Sequence, residues 1–296
     1  MERAFDTCAF NVSLCRRVAC YARRVTAIVF AALSTSLIFA AANADDSIQS
    51  IDVDRTSLRV HLKSGRVLKD RDLEGATLSL LMSGTTTPRR VRIANVIVDP
   101  TDPQRELMLY RMTVLNPTTG VAEELCDADP QGQRWAFPVQ GKWDAQGRRT
   151  SHDGFSLTCS SGAQGKCLRF GYKPWRTTKD GASLEDYYQA CIHMVTANYC
   201  GDRGTTKDGM TIDLYDNMGI NTLSESAGSD ALRFEAAWNA TGAACVAHTR
   251  VPDNISLRQL AATCPRLQAR LGDLNCTETI ARSGRLGTVL LFNRSR

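Results

Sequence analysis

Eight cysteines downstream of Ala44 constrain this chain more than any other feature: Cys126, Cys159, Cys167, Cys191, Cys200, Cys245, Cys264 and Cys276. Three more, Cys8, Cys15 and Cys20, lie in the first 44 residues. That stretch has the layout of a secretory signal peptide: a charged end, an apolar middle and small residues at the cut. Arg16, Arg17, Arg23 and Arg24 precede the apolar run Val25 to Ala41, then comes Ala42-Asn43-Ala44, and Asp45 and Asp46 open a polar end. The run is interrupted by Thr26, Ser34, Thr35 and Ser36, and it is short of the roughly 20 apolar residues of a membrane span. The arginine pairs lack the flanking residues of a twin-arginine signal. Cleavage after Ala44 is therefore expected, with no membrane span in what remains. The product is expected to be periplasmic or extracellular.

Cleavage leaves an even set of cysteines in an oxidising compartment, which reads as disulfides. Their connectivity is open, with one exclusion. Cys191 and Cys200 are nine residues apart in a helical pattern. A helix of that length separates them by about 13 Å, and a disulfide spans at most about 7 Å between Cα atoms. Each is expected to bridge elsewhere. Loss of the leader also removes five basic and two acidic residues, taking the net charge from +5 to about +2. That balance argues against a nucleic-acid partner, which needs a clustered basic face.

The remaining chain divides by pattern. From Ser47 to about Thr150 it reads as short antiparallel strands. Leu58, Val60 and Leu62 alternate before a Ser64-Gly65 turn, and Val67 resumes the apolar side. Val91 and Ile93 alternate in the next run, and Met108, Tyr110, Met112 and Val114 in another. Turn residues separate these runs at Ser83-Gly84, Asp102-Pro103 and Asn116-Pro117. The polar stretch Gly141 to Gly154 is taken as a boundary. The expected organisation is a signal peptide at 1–44, a β-rich domain at 45–150 and a cysteine-rich α+β domain at 151–296. The second half holds the clearest helix, "SLEDYYQACIHMVTAN", with Ser183 as cap and Asp186 completing a capping-box pattern. Leu184, Tyr187, Tyr188, Cys191, Met194 and Val195 fall on one stripe, with His193 turned to solvent. A second helix is expected over Ser256 to Cys264, ended by Pro265, with strands at "MTIDLYD" and "LRFEAAW" and a turn at "NATG". The fold class is α+β: an N-terminal antiparallel β region followed by a disulfide-stapled α+β domain.

The chemistry-bearing residues are sparse. Cys191, His193 and Cys200 offer three ligands where structural zinc needs four, and oxidation would consume the two thiols. Asp202, Asp208, Asp213 and Asp216 lack the EF-hand spacing, with Arg203 and Lys207 inside the loop. There is no Gly-x-Ser-x-Gly, His-Glu-x-x-His or cysteine-protease signature, and no phosphate-binding glycine loop. No catalytic residue, metal or cofactor is assigned. His152, Asp153 and His248 are the candidates an acid–base reading would use. Glycosylation sequons occur at Asn239, Asn254 and Asn275, and the motif is short and common. Tyr172, Trp175, Tyr187 and Tyr188 cluster in sequence and form the candidate ligand surface, for a carbohydrate or protein partner, or alternatively part of the core.

The strings "FSLTCSSGAQGKCLRFGYKPW", "CIHMVTANYCGDRGTTKDGMTIDLYDNMGI" and "FEAAWNATGAACVAHTR" resemble the ADYC-domain family of exported bacterial proteins. The resemblance spans roughly Gly141 to Pro265. The name-giving Ala-Asp-Tyr-Cys stands here as Ala197-Asn198-Tyr199-Cys200, a departure at Asn198. The family implies a fold and a compartment and no catalytic residues. The sequence therefore points to an exported, disulfide-stabilised binding or structural module of the cell envelope or exterior. The alternative is a secreted or periplasmic hydrolase with a site between the two halves.

Overall fold

The structure is a computed structural model that describes residues 9–10, 46–81, 86–144, 148–224 and 232–296. The signal segment and its cleavage site lie outside the described residues, apart from the backbone of 9–10, and so does the Ser83-Gly84 turn. Fourteen strands and four α-helices are described, so β-structure dominates an α+β fold.

Three antiparallel sheets form the frame. The smallest is β2 (Ile48–Asp54), β3 (Ser57–Leu62) and β4 (Val67–Lys69) in that order. Leu58, Val60 and Leu62 are buried, as the alternation requires. Val67 is exposed instead of inward. It pairs with His61, on the outer face of β3, because the intervening turn sets the register one residue away from the predicted one.

The largest sheet contains β5 (Thr77–Leu81), β6 (Arg89–Val98), β7 (Met108–Leu115), β9 (Trp135–Trp143) and β10 (Arg149–Cys159). The short β8 (Ala122–Glu124) joins β7, and the backbone of β1 (Ala9–Phe10) pairs with Leu80 and Leu81 of β5. Val91 and Ile93 are buried, then a register shift between Ile93 and Asn95 moves the inward position to Val96.

Both faces of this sheet are covered, which is why β7 and β9 bury consecutive residues. Tyr110, Met112, Ala136 and Phe155 pack with Val60, Leu62 and Leu73 beneath the small sheet. Leu107, Leu109, Phe137, Val139 and Trp143 point the other way and pack with Tyr188, Met194, Trp238 and Leu260 of the second half. The division expected after residue 150 falls inside β10, and this second cluster takes residues from both sides of it.

The third sheet has the order β11 (Ile212–Asp216), β14 (Leu291–Ser295), β12 (Arg233–Asn239), β13 (Gly242–Val246). The C-terminal strand thus lies between two strands far upstream of it. The helices are α1 (Ala163–Arg169), α2 (Leu184–Thr196), α3 (Leu257–Thr263) and α4 (Glu278–Arg282). Ser183 caps α2 by accepting from the Glu185 amide, and Ser256 with Gln259 forms a capping box on α3. The box expected from Asp186 at α2 is replaced by the single Ser183 bond.

Four disulfides hold these elements: Cys126–Cys159, Cys167–Cys191, Cys200–Cys264 and Cys245–Cys276. Cys191 and Cys200 bridge different partners. The helix stops at Thr196, short of Cys200, so helical rise covers only part of the interval. What separates the two is that Cys191 faces α1 while Cys200 leaves on a turn towards α3. Gly165 lets α1 approach β10 closely, since a Cβ there would sit 2.2 Å from the Cys159 carbonyl oxygen.

Non-reducing peptide mapping of the folded chain should return these four pairs. Replacing Cys167 and Cys191 together by Ala should lower unfolding free energy by about 2–4 kcal/mol, read by denaturant titration.

Candidate functional site

Two of the three family-like strings meet in one corner at the end of α2. Helix α2 ends with Ala197 in the left-handed region, at φ 49° and ψ 42°, and the Asn198 amide donates back to the His193 carbonyl at 2.8 Å. Asn198 Oδ1 then accepts from the backbone amides of Gly201 at 2.8 Å and Arg203 at 3.1 Å. Those bonds need an acceptor oxygen, which Asp and Asn both supply, so the departure from the family motif preserves the function of the position. Tyr199 donates its hydroxyl to Glu235 Oε1 at 2.9 Å and accepts the Arg250 amide at 2.8 Å. Cys200 is the bridge to Cys264. Arg266 clasps the corner to the Asn239–Gly242 turn through the carbonyls of Tyr199, Thr241 and Ala243.

Beneath that corner lies a buried charged network. Arg250 donates to both oxygens of Glu235 at 3.0 Å, and to the carbonyls of Met194 and Val195 at the C-terminus of α2. Asn293 Nδ2 donates to Glu235 at 2.7 Å, and Asn293 Oδ1 accepts from Trp238 Nε1 at 2.8 Å. A second network joins the two halves. Arg169 reaches Asp99 and Asp129, and the buried Lys173 reaches Asp102 at 2.7 Å and Gln104 at 2.9 Å. Burial alone would raise the Asp102 carboxyl. The Lys173 ammonium and the amides of Glu106 and Leu107 outweigh it and hold the group below the usual carboxylate range.

The histidines do not assemble. His61 contacts Asp52 at 2.7 Å on the outer face of β3, and His152 contacts Arg149 at 2.8 Å on the surface. His193 is fully buried rather than turned to solvent. The last turns of α2 are enclosed on every side, by the large sheet, β12 and the 239–242 turn, and a helix stripe does not reveal that. Among the described residues neither ring nitrogen of His193 makes a well-formed hydrogen bond, though the Ala240 backbone lies near the ring. Desolvation pushes its pKa down to about 4; nearby Arg266 and Arg148 oppose protonation, and Asp144 and the Ala240 backbone partly favour it. His248 Nε2 lies 3.1 Å from Ser295 Oγ, but Nδ1 has no partner and both residues are buried.

The expected ligand surface is not formed. Tyr172 and Tyr188 are completely buried, Tyr188 edge-on to Trp143 at 5.0 Å, and Tyr187 stacks on Tyr172 at 6.1 Å. Trp175 is half-buried and donates to Glu106. These rings serve the core because α2 packs between two sheets. The aspartates weighed for a calcium loop also disperse: Asp216 accepts from Tyr172 and three backbone amides, while Asp202 and Asp208 are exposed. Among the described residues no three His, Cys, Asp or Glu side chains are grouped to hold a metal.

A groove of about 770 Å³ lies elsewhere, between the small sheet and the β5–β6 edge of the large one. Val60, Leu62, Leu73 and Leu78 supply its apolar lining, with Ile48 and Leu68, and its charged lining is Asp46, Asp72, Glu74, Arg90 and Arg92. Sequence reasoning missed it. The alternation of Val91 and Ile93 places Arg90 and Arg92 on the face away from the small sheet, and it does not show that the two sheets part at this edge.

These features define a disulfide-stapled α+β protein whose signature residues build a structural corner. A family model, the ADYC domain, matches residues 70–252, more than half of the chain, and the protein belongs to that family. The match begins upstream of the Gly141 to Pro265 span of the resemblance and takes in most of the large sheet. Comparison with curated proteins and with solved structures finds no match.

Two outcomes follow from this corner. Asn198→Ala should cost about 1–2 kcal/mol by leaving the Gly201 amide unpaired, whereas Asn198→Asp should keep stability at neutral pH; both are read by denaturant unfolding. His193 has a folded pKa below its ordinary 6.5, so its contribution is fully present above that value and is lost as pH falls towards 4. Unfolding free energy should drop across that window by on the order of 3 kcal/mol, and His193→Leu should flatten the slope.

Proposed function

We propose that this ADYC-domain protein is exported and acts at the cell envelope or exterior as a non-catalytic binding module. The observation carrying this reading is how the reactive groups are spent. All eight described cysteines are in disulfides, and the buried acids are tied to arginine, lysine or backbone amides. None of the groove's described lining residues, by contrast, is a histidine, cysteine or serine. Four disulfides support an oxidising compartment, and among the described residues no helix is long and apolar enough to cross a membrane.

The hydrolase alternative rests on the Ser295–His248 contact. A working pair needs an orienting group on the second ring nitrogen and an accessible nucleophile. Here, among the described residues, Nδ1 makes no well-formed hydrogen bond, and Ser295 is fully buried on β14, paired with both Ile212 and Arg233. A fluorophosphonate probe should leave the native protein unlabelled, and a panel of ester, peptide and glycoside substrates should be untouched. Labelling of Ser295, or turnover abolished by Ser295→Ala, would overturn the non-catalytic reading.

A further inference from the structure

The loop between β6 and β7 presents Asp102, Gln104 and Glu106 at alternate positions, and all three reach Lys173 of the other half. Lys173 Nζ lies 2.7 Å from Asp102 Oδ1, 2.9 Å from Gln104 Oε1 and 3.4 Å from Glu106 Oε2. The Lys173 and Asp102 side chains are only 1% and 2% exposed, so bulk water is kept from the contact. Asp102 Oδ2 accepts the amides of Glu106 at 2.7 Å and Leu107 at 3.0 Å, and the Gln104 amide reaches Oδ1 at 3.2 Å. Glu106 is itself held in place: Oε2 accepts from Arg176 at 2.8 Å and Trp175 at 3.3 Å, and Oε1 from Arg55 at 3.0 Å.

This pair differs in kind from the Arg169 pairs beside it, because an amine can lose a proton and become a nucleophile where a guanidinium does not. An amine fixed against a carboxyl group is a pair of reactants already in contact, and such fixation gives effective molarities of about 10⁵–10⁸ M. If Nζ adds to Asp102 Cγ, negative charge collects on Oδ2, where two backbone amides already point, as in an oxyanion hole. Glu106 touches Nζ and is placed to take its proton and hand it on. The product amide is neutral, so its formation removes two buried charges from the interior. The resting pair is ammonium and carboxylate, so the step begins with a proton transfer and is slow, occurring once per chain.

We infer that Lys173 and Asp102 condense into an amide cross-link, with Glu106 as the proton carrier. Glu106 takes one proton from the Lys173 ammonium, and the freed lone pair forms the Nζ–Cγ bond. That proton and a second one from Nζ pass to Oδ1, the Cγ–Oδ1 bond breaks, and water leaves. Glu106 ends as it began, and no oxidant or cofactor enters. None of the four disulfides reaches upstream of Cys126. The amide therefore ties the β6–β7 loop to the second half with a bond that reductants do not open. The inference goes beyond the binding-module reading and does not depend on it.

The intact mass of the folded chain, taken after reduction and denaturation and compared with the sequence from its measured N-terminus, tests it. The chain should be one water lighter than its sequence, and a digest should contain a branched peptide joining Asp102 to Lys173. Lys173→Met should keep its full mass. Asp102→Asn should lose ammonia instead of water and give the same product as the wild type. Glu106→Gln should slow the loss of water by about 100-fold or more. Variants are compared where their four disulfides map as in the wild type. The inference is overturned if the wild type keeps its full sequence mass after long incubation at neutral pH. It is equally overturned if the lost water maps to another pair of residues, or if Glu106→Gln cross-links as fast as the wild type. The first measurement uses the wild type alone, so a variant that fails to fold does not leave the question open.

Discussion

The bidentate pair between Arg250 and Glu235 is the interaction on which the second half of the protein depends. Both side chains are buried, and Arg250 also accounts for two carbonyls at the C-terminus of α2. A helix end buried in a core leaves carbonyls that must find donors, and a cationic donor there also opposes the negative end of the helix dipole. Glu235 in turn holds Tyr199 and Asn293, so strands β12 and β14 and the motif turn are fixed by one carboxylate. Removing either partner would strand an uncompensated charge, which typically costs about 3–5 kcal/mol. The pair therefore specifies one arrangement of helix, turn and sheet more than it adds net stability.

The same logic joins the two halves. Asp99, Asp102 and Asp129 on loops of the large sheet receive Arg169 and Lys173 from α1 and the segment after it. Buried pairs of this kind are geometrically demanding, and they orient α1 on the sheet while Cys167–Cys191 ties α1 to α2. With the shared apolar cluster around Phe137, Trp143 and Tyr188, this makes the large sheet a common wall for both halves. The family match, from residue 70 to 252, includes β7 and β9, against which the helical half packs.

The family motif takes its meaning from this frame. Ala197 occupies a left-handed position with no exposed surface, Asn198 closes the turn, Tyr199 enters the Glu235 network and Cys200 staples α3. Gly201 follows because a Cβ would meet the Thr241 carbonyl oxygen at 2.5 Å. Every residue of the motif is engaged in architecture.

The sequence by itself determined the elements whose signals are local. Helices α2 and α3 follow from apolar spacing and serine caps, and β3, β6 and β7 from alternation. The even cysteine set marked the residues that form bridges, because chain chemistry decides which residues can cross-link. Only the tertiary structure decided the partners, since Cys245–Cys276 and Cys200–Cys264 depend on which elements become neighbours. It also decided that β14 inserts between β11 and β12, a pairing between strands distant in sequence that no local pattern encodes. His193 was placed wrongly by periodicity because a stripe describes one face of a helix, while Tyr172 and Tyr188 were left between ligand surface and core because clustering in sequence does not show burial. How many faces are covered depends on what packs around it. The groove beside the small sheet was not legible either, because its two walls come from different sheets.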